Sequence, residues 1–341
     1  MTIDNNQQSK IAVLLVNFGG PKDLKSVKPF LYNLFLDPAI LNIPFGALFR
    51  RPLSWLISNL RQFSSGAMYK RIGGKSPLIP ITYEQKDALQ KLLTKNEHNI
   101  DTFVGFRYSE PFIQDVLTEI TEKGYEHVVI LPLFPQYSYT TVGSVQLVVS
   151  DWLGKSQVPS PKFYFIDKWY FDEDYIMSFV DLIQSALKNL EIEKTEILFS
   201  AHSIPTVNIE NGDPYEEEIH DTARLIIGKL RWEGSWHIGY QSKLGPIKWL
   251  EPSIDKVLED IASKNKDTNV LVVPISFVNE HVETIYEIGI LYKDIAEKLG
   301  IKKFVRIPAL NTNKYLIQAL YNQVIGSLNA NGIQVKELLR L

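Results

Sequence analysis

Cysteine is absent from all 341 residues. Disulfides, thiolate zinc sites and a cysteine-ligated iron–sulfur cluster are thereby excluded, and the redox compartment stays open. A dominant charge sign is missing too: 36 basic and 39 acidic side chains leave a net charge of −3, so there is no electrostatic footprint for nucleic acid. No apolar run approaches the roughly 18 residues that span a bilayer. The polar start, Met1 to Lys10, lacks the basic-then-apolar order of a secretory signal. A soluble, cytoplasmic protein is the expectation. Phosphate-binding glycine loops are also lacking: Gly19-Gly20-Pro21 follows the first strand-like run, but neither G-x-G-x-x-G nor the P-loop spacing occurs there. That argues against a doubly wound nucleotide-binding protein. The turn more simply lets backbone approach a ligand, with Phe18 as an apolar face.

What is present is an alternating pattern. Strand-like runs lie near 11–16, 102–106, 127–132, 162–166, 196–200, 236–240, 270–275 and 303–307, interleaved with amphipathic helical segments. Such alternation predicts an α/β protein with parallel sheets. Eight runs divide into four and four, and the length allows two domains, each with its own core. The segment from Leu14 to Pro21 has the outline of Leu198 to Pro205, which sets Phe18 against His202. Likewise Val129 to Leu133 resembles the segment around Val272 to Ile275. The paired prolines are 184 residues apart from Pro21 to Pro205 and 142 apart from Pro132 to Pro274. The first half therefore carries about 42 extra residues, assigned to the irregular stretch 38–78. The expected units are 1–165, with that insertion, 166–310, and a C-terminal helix and tail over 311–341.

Two stretches concentrate chemistry. In the first, the buried strand Val270 to Ile275 leads to a helix that Asn279 would cap. On it Glu280, Glu283 and Glu287 fall at i, i+3 and i+7, roughly one face, with His281 beside them. In the second, Ile197-Leu-Phe-Ser-Ala-His-Ser-Ile-Pro205 is another apolar strand, ending on His202. Open α/β sheets bind ligands just beyond their strand ends. A cleft shared by an imidazole and carboxylates can take a divalent metal, accept protons, or do both. The alternatives are a solvated acidic face and a structural histidine.

The sequence resembles the ferrochelatases, which insert Fe(II) into a porphyrin to make haem. The resemblance rests on Phe199 to Pro205, Gly212-Asp-Pro-Tyr215, Gln241-Ser-Lys-Leu-Gly-Pro246 and Glu280-His-Val-Glu-Thr-Ile-Tyr-Glu287. In the first half it rests on Leu14 to Pro21, Arg71-Ile-Gly-Gly-Lys-Ser-Pro77 and Leu133-Phe-Pro-Gln-Tyr137. It implies a chelatase-like fold of two similar Rossmann-like halves, each a four-stranded parallel sheet flanked by helices, with the active-site cleft between them. It also implies that His202, Glu283 and Glu287 are catalytic, with His202 and Glu283 as ligands of the incoming iron. Iron enters as substrate, with no prosthetic group; some animal members carry an iron–sulfur cluster, which a chain without cysteine cannot ligate in the same way.

Porphyrin contacts are expected from Phe18, Arg71, Arg107, Tyr108, Tyr137 and His281. Either arginine could meet a propionate bidentately, or each could be an ordinary surface cation. Tyr137 stands in an aromatic loop that lines a pocket or merely packs. Phe18 favours protoporphyrin IX, because some coproporphyrin-using members have tyrosine there. The apolar insertion, with Arg50-Arg51 and Trp55 to Leu60, reads as a packed subdomain or as a lip over a cleft. The resemblance favours the lip, which brings peripheral membrane contact and neighbouring haem-pathway enzymes as expected partners. Lys75 and Glu280 depart from the commoner glycine and aspartate of the family. The competing readings are a coproporphyrin III chelatase, a sirohydrochlorin cobalt chelatase, which should lack the Gln241 to Pro246 segment and the lip, and a non-catalytic haem or porphyrin carrier.

Overall fold

The computed structural model describes residues 9–41, 46–96, 98–156, 160–243, 245 and 247–333. Eight strands fall on the apolar runs: β1 (Ile11–Asn17), β2 (Ile100–Phe106), β3 (His127–Pro132), β4 (Lys162–Phe165), β5 (Thr195–His202), β6 (Trp236–Gln241), β7 (Asn269–Pro274) and β8 (Lys303–Arg306). They form two four-stranded sheets, ordered β2-β1-β3-β4 and β6-β5-β7-β8. Every pairing is parallel, which requires crossover connections, here helical.

The duplication is visible in the register. Ile11 lies opposite His127 as Thr195 lies opposite Asn269, which reproduces the offsets of 184 and 142 set by the paired prolines. Gly105 on β2 and Gly239 on β6 also hold matching places. A Cβ there would come within 3.1 Å of Ile113 Cα and 3.2 Å of Ile254 Cα respectively. Glycine thus lets the next helix, α4 (Ile113–Glu122) or α9 (Ile254–Lys264), close on its strand in both halves. The surplus sequence of the first half falls between β1 and β2, which hold α1 (Val27–Leu36), α2 (Gly46–Arg71) and α3 (Leu78–Lys95).

The expectation of a separate core for each half is not met. Side chains alternate between the faces of each strand. Ile11, Val13 and Leu15 of β1 and Ile197, Phe199 and Ala201 of β5 enter one continuous core. Helices α3, α6 (Glu173–Leu187), α8 (Tyr215–Leu230) and α11 (Lys314–Ala330) fill it. Leu316, Leu320, Val324 and Leu328 of α11 are fully buried in it, so the C-terminal helix expected within 311–341 joins the halves. The outer faces keep their own packing. Ala12, Leu14 and Val16 meet α4 and α5 (Ser144–Lys155). Leu198, Val270 and Val272 meet α9 and α10 (Lys293–Leu299).

The motif from Gln241 would lead into a helix near Pro246, but α9 starts only at Ile254, and Pro246 itself lies outside the described residues. Proline suits a first helical position, yet Pro214 sits one residue earlier, as the N-cap of α8.

Candidate active site

The C-terminal ends of β5, β6 and β7 lie side by side, with β5 in the middle, and His202 ends β5. Its backbone N–H donates to Ser276 Oγ at 3.0 Å, and its carbonyl accepts from the Tyr215 hydroxyl at 3.0 Å. The ring is oriented just as firmly. Nδ1 lies 2.6 Å from the Ser203 carbonyl oxygen, and a carbonyl can only accept, so Nδ1 carries the hydrogen in the neutral ring. The Nε2 lone pair is left free. Nε2 lies 3.7 Å from Glu283 Oε1.

The acidic helix starts later than the sequence indicates, and it has a different pitch. Residues 283–292 form a π-helix, with Val282 before it; such i→i+5 segments gather at functional sites. A shorter π segment, Tyr139–Gly143, occupies the corresponding place after β3. Asn279 is no helix cap. It is buried, accepts from Asn17 Nδ2 at 3.2 Å and donates to Gln85 Oε1 at 2.9 Å, joining the two halves. Glu280 leaves the acidic face altogether. Its carboxylate pairs with Arg306 at 2.7 Å and accepts from the Ala309 N–H at 3.1 Å and from Thr284 Oγ1.

Glu283 and Glu287 remain, and their surroundings push them in opposite directions. Glu283 Oε2 is 3.3 Å from His281 Nε2, so this carboxylate stands between two imidazoles. Burial opposes its ionisation, but His202 and His281 outweigh that and hold it below the usual carboxylate range. Burial raises Glu287, the negative charge of Glu283 raises it further, and the Ser242 hydrogen bond and Arg61 only partly compensate. One ionised and one protonatable carboxyl side by side suit proton transfer. Phe277 packs 4.3 Å from the His281 ring and 6.3 Å from that of His202. Among the described residues, no three acidic or histidine side chains converge as a metal cage.

From the first half comes Phe18, the positional counterpart of His202. Its ring rests on Phe134 at 4.6 Å and Tyr108 at 5.4 Å. The glycine turn beside it packs on protein: a Cβ on Gly20 would lie 2.6 Å from Ser76 Cβ. Tyr108 is fully buried beneath Phe18 and donates to Asp37 at 2.8 Å. Arg107 is likewise engaged, 2.9 Å from Asp37 Oδ2, with Nε donating to Ser144 Oγ at 2.8 Å. This pair is therefore held from below by protein groups, with Asp37 and Ser144 fixing the guanidinium. Arg71 ends α2 with its guanidinium 5.3 Å over the Tyr286 ring. Tyr137 is half-buried; its N–H donates to Glu218 at 2.7 Å, tying its loop to the other half.

Asp37 and Arg61 carry no signal of their own in the sequence, and Ser242 stands there only inside the Gln241 to Pro246 motif. Asp37 holds Arg107. Arg61, on α2, has a buried Nε without a hydrogen-bond partner and feels the charge of Glu287. Ser242 donates to Glu287 Oε2 at 2.6 Å. Arginine on an irregular insertion and serine in a loop are too common to single out without their neighbours.

The chain matches the family model described as Ferrochelatase over residues 10–328. It is 42% identical over 340 residues to a ferrochelatase of Synechococcus elongatus, covering 97% of this chain and 86% of that one. A Synechocystis ferrochelatase is 41% identical over 323 residues, with 94% and 83% covered. Among solved structures, SirB from Bacillus subtilis with Fe3+ superposes with a TM-score of 0.55 at 13% identity, covering 95% of this chain and 98% of that one. CbiX, described as the terminal enzyme of sirohaem biosynthesis in denitrifying bacteria, gives 0.50 at 12% identity, covering 94% and 99%. These two likenesses show the two-halved chelatase fold. The sequence matches reach further, across the lip and both strand-end motifs, and place the chain in the ferrochelatase family, the enzymes that insert ferrous iron into a porphyrin.

Proposed function

We propose that this chain metallates protoporphyrin IX in preference to coproporphyrin III, with His202 accepting pyrrole protons and Glu283 receiving the iron. The observation that carries the reading is the free Nε2 of His202 facing Glu283, beside a second carboxyl at Glu287. Metallation requires two pyrrole N–H protons to leave and a dehydrated Fe(II) to arrive. A neutral imidazole with a fixed tautomer is a suitable base, and Fe(II) accepts mixed imidazole and carboxylate ligation. Glu283, ionised, would stabilise the imidazolium as it forms and replace water around the metal. Glu287, one turn on, would relay protons between Glu283 and solvent. A rigid cleft between packed halves favours the bent macrocycle over the flat one, which is transition-state complementarity.

Arg61 supports propionate anchoring better than Arg107 does, because its buried Nε lacks a partner whereas Arg107 is held by Asp37. The aromatic bed of Phe18, Phe134 and Tyr108 suits vinyl groups; two further carboxylates there would be desolvated without a partner. The test is anaerobic metallation with Fe(II) or Zn(II), followed optically, on each porphyrin. Faster turnover of protoporphyrin IX is expected. Turnover of coproporphyrin III alone would reverse the substrate assignment, and tight binding without metallation of either would make the chain a carrier.

Among the described residues no helix is long and apolar enough to cross a membrane. The lip nevertheless exposes Leu48, Phe49, Trp55, Leu56, Leu60 and Phe63 on α2, beside Arg50 and Arg51. Apolar side chains flanked by cations support docking on a bilayer surface. Co-sedimentation with anionic vesicles is expected and should fall several-fold in a Trp55→Ser, Phe63→Ser variant; equal sedimentation of both proteins would refute it.

A further inference from the structure

Ser242, the residue after β6, has φ of +66°, a left-handed conformation that side chains other than glycine and asparagine rarely adopt. Its hydroxyl donates to Glu287 Oε2 at 2.6 Å, and Gln241 Nε2 reaches the same oxygen at 3.4 Å. The preceding residue is locked from behind, since Gln241 Oε1 accepts from Ser200 Oγ on β5. The loop beyond Ser242 is tied down as well. Lys243 pairs with Glu251, the Thr206 N–H donates to the Lys248 carbonyl at 3.1 Å, and the Leu250 N–H donates to the Ile204 carbonyl at 3.1 Å. This loop is thus fastened to the chain just past His202 on one side and to Glu287 on the other. A strained backbone that its surroundings over-determine, at the edge of a site, points to a use for the strain.

We propose that Ser242 is a positioning residue for metallation: its left-handed backbone aims the hydroxyl at Glu287 and fixes that carboxyl one turn from Glu283. This rests on the chelatase reading of His202 and Glu283. Without the hydroxyl, Glu287 keeps the long Gln241 contact and the pull of the Arg61 charge, and can turn away from the Glu283 side. The relay would slow while the porphyrin bed, built from the other half, stays as it is.

The backbone conformation supplies a clean experiment. Glycine adopts positive φ without penalty, so Ser242→Gly removes the hydroxyl and relieves strain together. A merely structural serine would give a Ser242→Gly protein of equal or higher thermal midpoint and unchanged turnover. Positioning predicts an equal or higher midpoint with turnover down about 10-fold, the order of a lost oriented transfer group, and an unchanged KM for porphyrin. In a Glu287→Gln background the further loss on Ser242→Gly should shrink to less than about 2-fold, because interacting residues are not additive. Wild-type turnover in Ser242→Gly, or the full loss persisting beside Glu287→Gln, overturns the proposal while leaving the chelatase reading intact. A wild-type protein that metallates no porphyrin overturns both.

Discussion

Replacing His202 with alanine should lower metallation turnover by about 10²–10⁴-fold, the usual worth of a positioned general base, with porphyrin affinity changed less than about 3-fold. The asymmetry follows from the site. Only Nε2 of His202 faces the cleft, because Nδ1 is committed to the Ser203 carbonyl, so no other atom of that side chain takes over its lone pair. The Phe18, Phe134 and Tyr108 rings, proposed above as the porphyrin bed, belong to the other half, so the substitution leaves them in place. Glu283→Gln should lose activity on a similar scale for a different reason: it keeps the shape but removes the charge that stands between His202 and His281. The two substitutions together should cost far less than the product of the separate losses, since groups that act as a unit are non-additive. Stopped-flow metallation with Zn(II), alongside porphyrin fluorescence quenching for binding, checks both. Multiplicative losses would mean that the pair does not work as one.

Asp37→Ala should destabilise the fold by about 3–5 kcal/mol, the range for breaking a buried ion pair from one side. Asp37 is 2% exposed, and it receives Arg107, the Tyr108 hydroxyl and Ser144 Oγ. Removing it strands a fully buried phenol and hydroxyl and leaves the guanidinium, 18% exposed, without its carboxylate. The site lies where α1 gives way to the lip, so the lip should loosen before the sheets do. Urea unfolding measures the loss, and hydrogen exchange shows where it starts. Asp37→Leu combined with Arg107→Met should recover part of the stability, because an apolar pair of similar volume often replaces a buried ion pair without cost. A double variant no more stable than Asp37→Ala would show that Tyr108 and Ser144, more than the charge pair, need the carboxylate.

Much of this protein is legible locally. Strands β1 and β5 are read correctly because continuous apolar runs are what a parallel sheet covered on both faces requires. The pairing of Phe18 with His202 follows from two prolines at matching places, and the strand register reproduces their offset. The motif around Glu283 and Glu287 is found by residue type and spacing alone, but its geometry is not. A period of 3.6 groups Glu280 with the other two carboxylates. In the fold Glu280 turns to Arg306, a residue on another strand, and the helix begins beyond it with a π pitch.

Arg107 marks the same boundary from the other side. Next to an aromatic and after a strand, it looks like a ligand anchor, and the fold supplies Asp37 and Ser144 as partners that the sequence does not reveal. Arg61 has the reverse history: unremarkable in a long insertion, it is carried by α2 to face Glu287 with an unpartnered nitrogen. Sequence by itself determined the strand-helix alternation, the two-halved plan and the chemical identity of the site, since these depend on periodicity and on residue type at strand ends. Only the tertiary structure decided which charges are spent on each other and which remain for a ligand. The physical reason is range: burial patterns repeat every two to four residues, whereas an ion pair is settled by whichever opposite charge the folded chain brings within about 4 Å.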